Sequence, residues 1–239
     1  MTAAAWTELP FLALDCETTG VDPFNDRIVE AAAVQVEVDG AAAELWAGVV
    51  NPGVPIPDEA AAIHGITTAR AKAEGIPTEL ALIQLGRAVW RHIEEHGGRA
   101  AVVGFNMRFD WPLILAEAAR HHVDIPCFAP ILDPYLLDRL CDRYRQGKRQ
   151  LTVVADHYGV QLGDAAHGAV ADATAAGRVL RELVRRYPKT GEQTLAELWL
   201  RQTHGAEALR QGFVEFKRRT DPGFHAAAGW PIPVEVPRS

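Results

Sequence analysis

The alternation of apolar and polar positions divides the chain into strands first and helices afterwards. Phe11 to Asp15 (FLALD) is continuously apolar until it ends on an acid, the pattern of a central strand buried on both faces. Arg27 to Val38 and Ala43 to Val50 are two further strand candidates, and Asp39-Gly40 between them is a hairpin signal, so these two run antiparallel. The proline-rich Asn51 to Pro57 leads into a short helix ending at Ile63-His64-Gly65. Thr78 reads as the N-cap of a helix whose apolar stripe is Leu82, Leu85, Val89 and Ile93. A fourth strand, AAVVGFN, follows Gly97-Gly98 and precedes a helix carrying Leu113, Ile114 and Ala118. Ala129 to Asp133 predicts a short fifth strand, and LTVVADHYGV a short helix closed by Gly159. A long helix is expected from Ala169 to Tyr187, stopped by Pro188.

Beyond Pro188 the pattern changes. Gln193 to Lys217 predicts one more helix, with Leu195, Leu198, Leu209, Phe213 and Phe216 available for packing, followed by a proline-rich tail. The expected organisation is a domain over residues 1–188 and a helical, proline-rich extension over 189–239 docked on it.

Composition narrows the class. The chain has 239 residues, 48% hydrophobic and 23% charged, enough to bury a full core. The N-terminal stretch lacks the basic and apolar regions of a signal peptide, and no apolar run approaches the roughly 20 residues of a membrane span, so a cytoplasmic location is expected. Cys16, Cys127 and Cys141 are odd in number and unpaired by spacing, which suggests neither a disulfide framework nor a cysteine zinc site. A formal net charge of −7 argues against binding nucleic acid through a broad basic surface. The exception is local: between Asp138 and Gln150 stand Arg139, Arg143, Arg145, Lys148 and Arg149 against Asp138 and Asp142. That run either guides a phosphate backbone or is a solvated face.

The chemistry begins where the first strand ends. Residues i and i+2 of a strand share a face, so Asp15 and Glu17 project together and Cys16 points away. Two carboxylates so placed repel, and are comfortable at a solvated edge or around a cation. Asn106 to Asp110 (NMRFD) follows the fourth strand, where Asn106 could be a helix cap and Asp110 a first-turn acid favoured by the helix dipole. His167 to Asp172 (HGAVAD) opens the long helix. Five helical residues rotate about 500°, so His167 and Asp172 serve one site only if His167 lies in the loop before the helix, a break that Gly168 permits.

DCETTG, NMRFD and HGAVADA, in this order and on these supports, resemble the three motifs of the DEDDh, or DnaQ-like, 3′→5′ exonucleases, which include the proofreading epsilon subunit of bacterial DNA polymerase III and RNase T. The resemblance covers Phe11 to Tyr187 and extends to AAIHGIT (Ala61 to Thr67). It implies an α/β, ribonuclease-H-like fold: a mixed five-stranded sheet flanked by helices, with the second strand antiparallel. It also implies that Asp15, Glu17, Asp110 and Asp172 hold two divalent metal ions, Mg²⁺ or Mn²⁺, with Asp15 bridging both, and that His167 is the general base. The ions would activate water and stabilise the attacking and leaving oxygens at the terminal phosphodiester, giving nucleoside 5′-monophosphates. Thr18, Thr19, His64, Ile66, Asn106 and Phe109 would border the terminal nucleotide. Apart from the resemblance, Thr18 also fits simple turn chemistry, His64 a helix end and Phe109 a core position.

The function implied is removal of nucleotides from single-stranded or frayed DNA 3′ ends, for repair or proofreading. RNA 3′-end trimming uses the same chemistry, since the motifs do not read the 2′-hydroxyl. A non-catalytic nucleic-acid adaptor is the third reading, disfavoured by the intact set of acids. The extension resembles a polymerase-tethering tail in position, and RQGFVEF a sliding-clamp peptide, so a polymerase or sliding-clamp partner is expected there.

Overall fold

The computed structural model describes residues 5–125, 131–162 and 168–232. Among these, the strands are β1 (Phe11–Thr18), β2 (Ile28–Val36), β3 (Ala42–Asn51), β4 (Ile76–Pro77), β5 (Val102–Val103) and β6 (Ile131–Leu132). The helices are α1 (Asp58–His64), α2 (Thr68–Glu74), α3 (Thr78–Glu95), α4 (Met107–Arg120), α5 (Pro134–Cys141), α6 (Leu151–His157), α7 (Ala169–Arg186), α8 (Pro188–Gly191) and α9 (Leu195–Arg218).

The strands form one six-stranded sheet in the order β4-β3-β2-β1-β5-β6. β2 runs antiparallel to its neighbours β1 and β3, while β4 joins β3, β5 joins β1 and β6 joins β5 in parallel. The sheet therefore has one strand more than the five expected. The addition is β4, a two-residue edge strand ending in Pro77, too short to show any alternation. Alternation along β1 sorts the core into two layers: Phe11 and Ala13 join Val34, Val36, Val179 and Leu183 on the α7 side. Leu12, Leu14 and Cys16 join Leu82, Leu85, Trp111 and Ile114 on the α3 and α4 side.

Small residues bring the helices close. A Cβ added at Gly177 would lie 2.7 Å from Val36 Cγ2, so α7 sits almost on the backbone of β2. Arg181 then staples α7 to the sheet. It donates to the carbonyls of Thr7 (2.8 Å), Leu9 (2.6 Å), Val36 (3.1 Å) and Glu37 (3.1 Å), and lies 3.3 Å over the Phe11 ring.

Two local expectations, the Thr78 cap and the packing face of α9, are corrected. Thr78 is the first residue of α3 rather than its cap, because its hydroxyl donates to Asn51 O at the end of β3, 3.3 Å away. α7 ends at Arg186, just before Pro188 as expected, and Pro188 also opens the short α8. In α9, Leu198 and Val214 are the buried apolar residues, while Phe213 and Phe216 are 48% and 61% exposed. Gln202, fully buried, ties α9 to the sheet: its Oε1 accepts from Asp133 N (2.7 Å) and its Nε2 donates to Ile131 O (3.0 Å). No helix among the described residues is long and apolar enough to cross a membrane.

Candidate active site

The site sits where β1, α4 and α7 converge. Because β1 has Leu12, Leu14 and Cys16 on its α3/α4 face, Asp15 and Glu17 fall together on the α7 face near the strand's end. α7 begins after Gly168, which has extended backbone (φ −143°), and Asp172 lies in its first turn. One carboxylate oxygen from each of Asp15, Glu17 and Asp172 lies within 4.8 Å of the others.

Asp110 enters from the first turn of α4 and is 6% exposed. Its helix starts abruptly. Asn106 takes the left-handed conformation (φ 65°), and the buried Asp133 carboxylate accepts from Asn106 N (2.9 Å) and Met107 N (3.1 Å). The same carboxylate caps α5 through Tyr135 N (3.0 Å) and Leu136 N (3.4 Å). Asp133 thus fixes two helix starts, and so the position of Asp110. It was not among the expected residues; an acid between an apolar strand and a proline is the signal that could have marked it.

The acids strain against one another. Burial, then the charges of Asp110, Asp172, Glu17 and Glu30, push the Asp15 carboxyl well above the ordinary carboxylate range. Burial, then Asp172 and Glu30, raises Glu17 to about 7. Asp110 rises to about 8, chiefly through burial, although backbone N–H groups of Asp110 and Cys16 oppose the shift. Such a cluster calls for positive charge, and an all-oxygen donor set suits a hard divalent cation.

Glu30 is a further member that the sequence reading missed. It lies opposite Glu17 in the β1–β2 register and accepts from Ala169 N at 2.9 Å, anchoring the start of α7. A single acid within the apolar run IVEAAAV, one hairpin partner away from Glu17, was its signal.

Asp15, Glu17, Asp110 and Asp172 line a cleft of about 710 Å³ together with Phe105, Asn106, Phe109, Tyr135, Lys148 and Arg149. Two members of the basic run therefore reach the cleft. Arg149 is held by the buried Asp138 carboxylate and by Asp142 O (2.6 Å), whereas Lys148 is exposed. Of the residues expected to border a nucleotide, Asn106 and Phe109 line the cleft. Thr18 donates to Gly20 O (2.6 Å). Thr19, 5% exposed, donates to Asp26 Oδ1 (2.7 Å) and accepts from Arg27 N (3.0 Å), which commits its hydroxyl to the turn. His64 is buried, its Nδ1 accepting from Ile66 N (3.1 Å), and Ile66 is fully buried beside Val29, Ile56 and Ala71. His167 lies outside the described residues.

A family profile described as exonuclease matches residues 12–180. The chain is 30% identical over 181 residues to a DNA polymerase III subunit epsilon-like protein of Rhodobacter capsulatus, covering 74% of this chain but 24% of that one. It is 28% identical over 180 residues to the chloroplastic/mitochondrial exonuclease DPD1 of Arabidopsis thaliana, covering 73% of this chain and 56% of that one. The chain thus spans about a quarter and just over half of these relatives. Among solved structures, E. coli exonuclease I in complex with a dA16 oligonucleotide superposes with a TM-score of 0.63 at 20% identity, over 77% of this chain and 42% of that one.

Proposed function

The chain belongs to the exonuclease family matched over residues 12–180, and from that premise we propose that it is a two-metal 3′→5′ exonuclease acting on single-stranded or frayed DNA. The observation that carries the reading is the crowding of the Asp15, Glu17 and Asp172 oxygens within 4.8 Å in the lining of one cleft. These three, with Asp110, are the residues that would hold Mg²⁺ or Mn²⁺. Such ions supply Lewis-acid stabilisation of phosphate charge and lower the pKa of water.

The chain's own groups supply position. The planar face of Phe109 and the exposed Asn106 stand where a terminal nucleotide would enter, and Lys148 offers a cation for the phosphate backbone. DNA is favoured over RNA by the polymerase III epsilon-like relative, and the fold is shared with an exonuclease I in complex with an oligodeoxynucleotide.

With Mn²⁺ and a 5′-labelled single strand, the expected product is a descending ladder of labelled fragments. Release of the label as a mononucleotide, or cutting of a circular strand, refutes the polarity. Faster loss of a matched RNA refutes the choice of DNA.

His167, immediately before Gly168 in the sequence, is proposed as the general base. His167→Ala is expected to keep Mn²⁺ binding by calorimetry while turnover falls roughly 10²- to 10⁴-fold. Near-parental turnover would remove it from that role.

A further inference from the structure

A second cavity adjoins the acidic cleft. It has a volume of about 340 Å³, within the roughly 300–1,000 Å³ of ligand sites, and lies between the start of α4, α5, α9 and the segment reaching Trp230. Asn106 and Tyr135 line both cavities, so the two are immediate neighbours.

Its chemistry is opposite to that of the cleft. Arg108, Arg139 and Arg210 line it. Arg210 is paired with Glu207 (2.6 Å), whereas no carboxylate among the described residues forms an ion pair with Arg108 or Arg139. The one acid in the lining, Asp133, has its oxygens occupied by the backbone N–H groups that start α4 and α5. Burial, and then the charge of Arg210, lowers the pKa of Arg108, while Glu207 opposes the shift.

Aromatic surfaces complete it. Phe213 remains 48% exposed while lining the pocket, rather than being drawn into a core. Trp230 is only 7% exposed, yet its buried indole N–H has no hydrogen-bond partner among the described residues. The wall is fixed in place: Arg210 donates to Ala226 O (3.1 Å) and Arg108 to Ala227 O (2.6 Å).

Resting on the exonuclease reading of the cleft, we propose that this pocket is a second subsite for the same single strand. It would hold a nucleotide on the 5′ side of the terminal one, with arginine on its phosphate, Phe213 against its base and the Trp230 N–H as a donor. A cationic groove with aromatic faces is the arrangement that grips single-stranded nucleic acid without reading its sequence. Adjacency to the acidic cleft, with Asn106 and Tyr135 in both walls, makes the bound strand, rather than a separate molecule, the occupant.

The test measures binding apart from cleavage. Fluorescence anisotropy of a 5′-labelled oligothymidylate, in EDTA and at several salt concentrations, is compared for the parent, Phe213→Ala and Arg139→Gln, with melting curves to verify that each variant is folded. Phe213 is half exposed, so its removal leaves the fold intact. Phe213→Ala is expected to weaken binding roughly five- to hundredfold, the span of base stacking. Arg139→Gln should lower the slope of log K against log salt by about 0.7, one phosphate contact. Parental affinity and slope in both variants, or no binding by the parent, overturn the subsite. Adding Mn²⁺ to the same samples separates the two readings. A parent that binds through the pocket but leaves the strand intact ends the exonuclease reading alone. A parent that degrades the strand while both variants bind as it does ends the subsite alone.

Discussion

Asp15→Asn is expected to abolish turnover while making the metal-free protein more stable. Asp15 is central to the cluster: its carboxyl feels Asp110, Asp172, Glu17 and Glu30 at once, and its oxygen lies within the 4.8 Å group. An amide of the same shape keeps the packing but removes the negative charge needed to hold a divalent ion. Metal stabilisation of a phosphoryl transition state is worth several kcal/mol, and each ~1.4 kcal/mol is tenfold in rate, so the loss should be at least about 10³-fold. Without metal, burial and then the neighbouring acids disfavour the ionised Asp15 carboxyl in the folded state, a cost the amide does not carry, so the variant should melt higher than the parent in EDTA. Quantitative ladder assays, Mn²⁺ calorimetry and paired melting curves check the three parts. A variant that turns over at the parental rate would remove the acids from the chemistry.

The parts of this site that could be read in the sequence rest on short-range geometry. Asp15 and Glu17 share a face because strand residues two apart must, and Asp110 and Asp172 lie in first turns because each helix starts where its apolar stripe begins. What could not be read depends on partners far away in the chain. Glu30 reaches the site only through the β1–β2 register, and Asp133 only because the chain returns to place one carboxylate at the heads of two helices. Thr78 has the composition of a cap, but a carbonyl 27 residues earlier claims its hydroxyl. β4, with one proline in two residues, has no periodicity to find. The second pocket was invisible for the same reason: its arginines come from α4, α5 and α9, and long-range contacts bring α9 near, among them Gln202 bonding across to β6, Leu198 in the core and Gly205 against Leu140.

Charge repulsion in the site makes a second large effect testable by pH. Glu17 and Asp110 hold their protons in the folded protein to about 7 and about 8, and Asp15 is raised as well, whereas unfolded carboxyls titrate near 4. Between these limits the folded state binds more protons than the unfolded state, so stability must fall as pH rises through the window. His92, lowered to about 4 by burial and then by His96, acts in the opposite sense up to about 6.5, so the comparison belongs between pH 7 and 8. There the metal-free parent should melt lower as pH rises, and Asp110→Asn should show a flatter dependence. Divalent ions compete with those protons, so Mn²⁺ should restore the loss and do so more strongly at pH 8 than at pH 7. At a hundred times its dissociation constant an ion adds about 2.7 kcal/mol, roughly 5–10 °C for a chain of this size. Melting curves in EDTA and in Mn²⁺ that stay parallel across this range, or a parent and an Asp110→Asn variant with the same slope, would show that these carboxyls are ionised without a cation, and the metal assignment would lose its electrostatic basis.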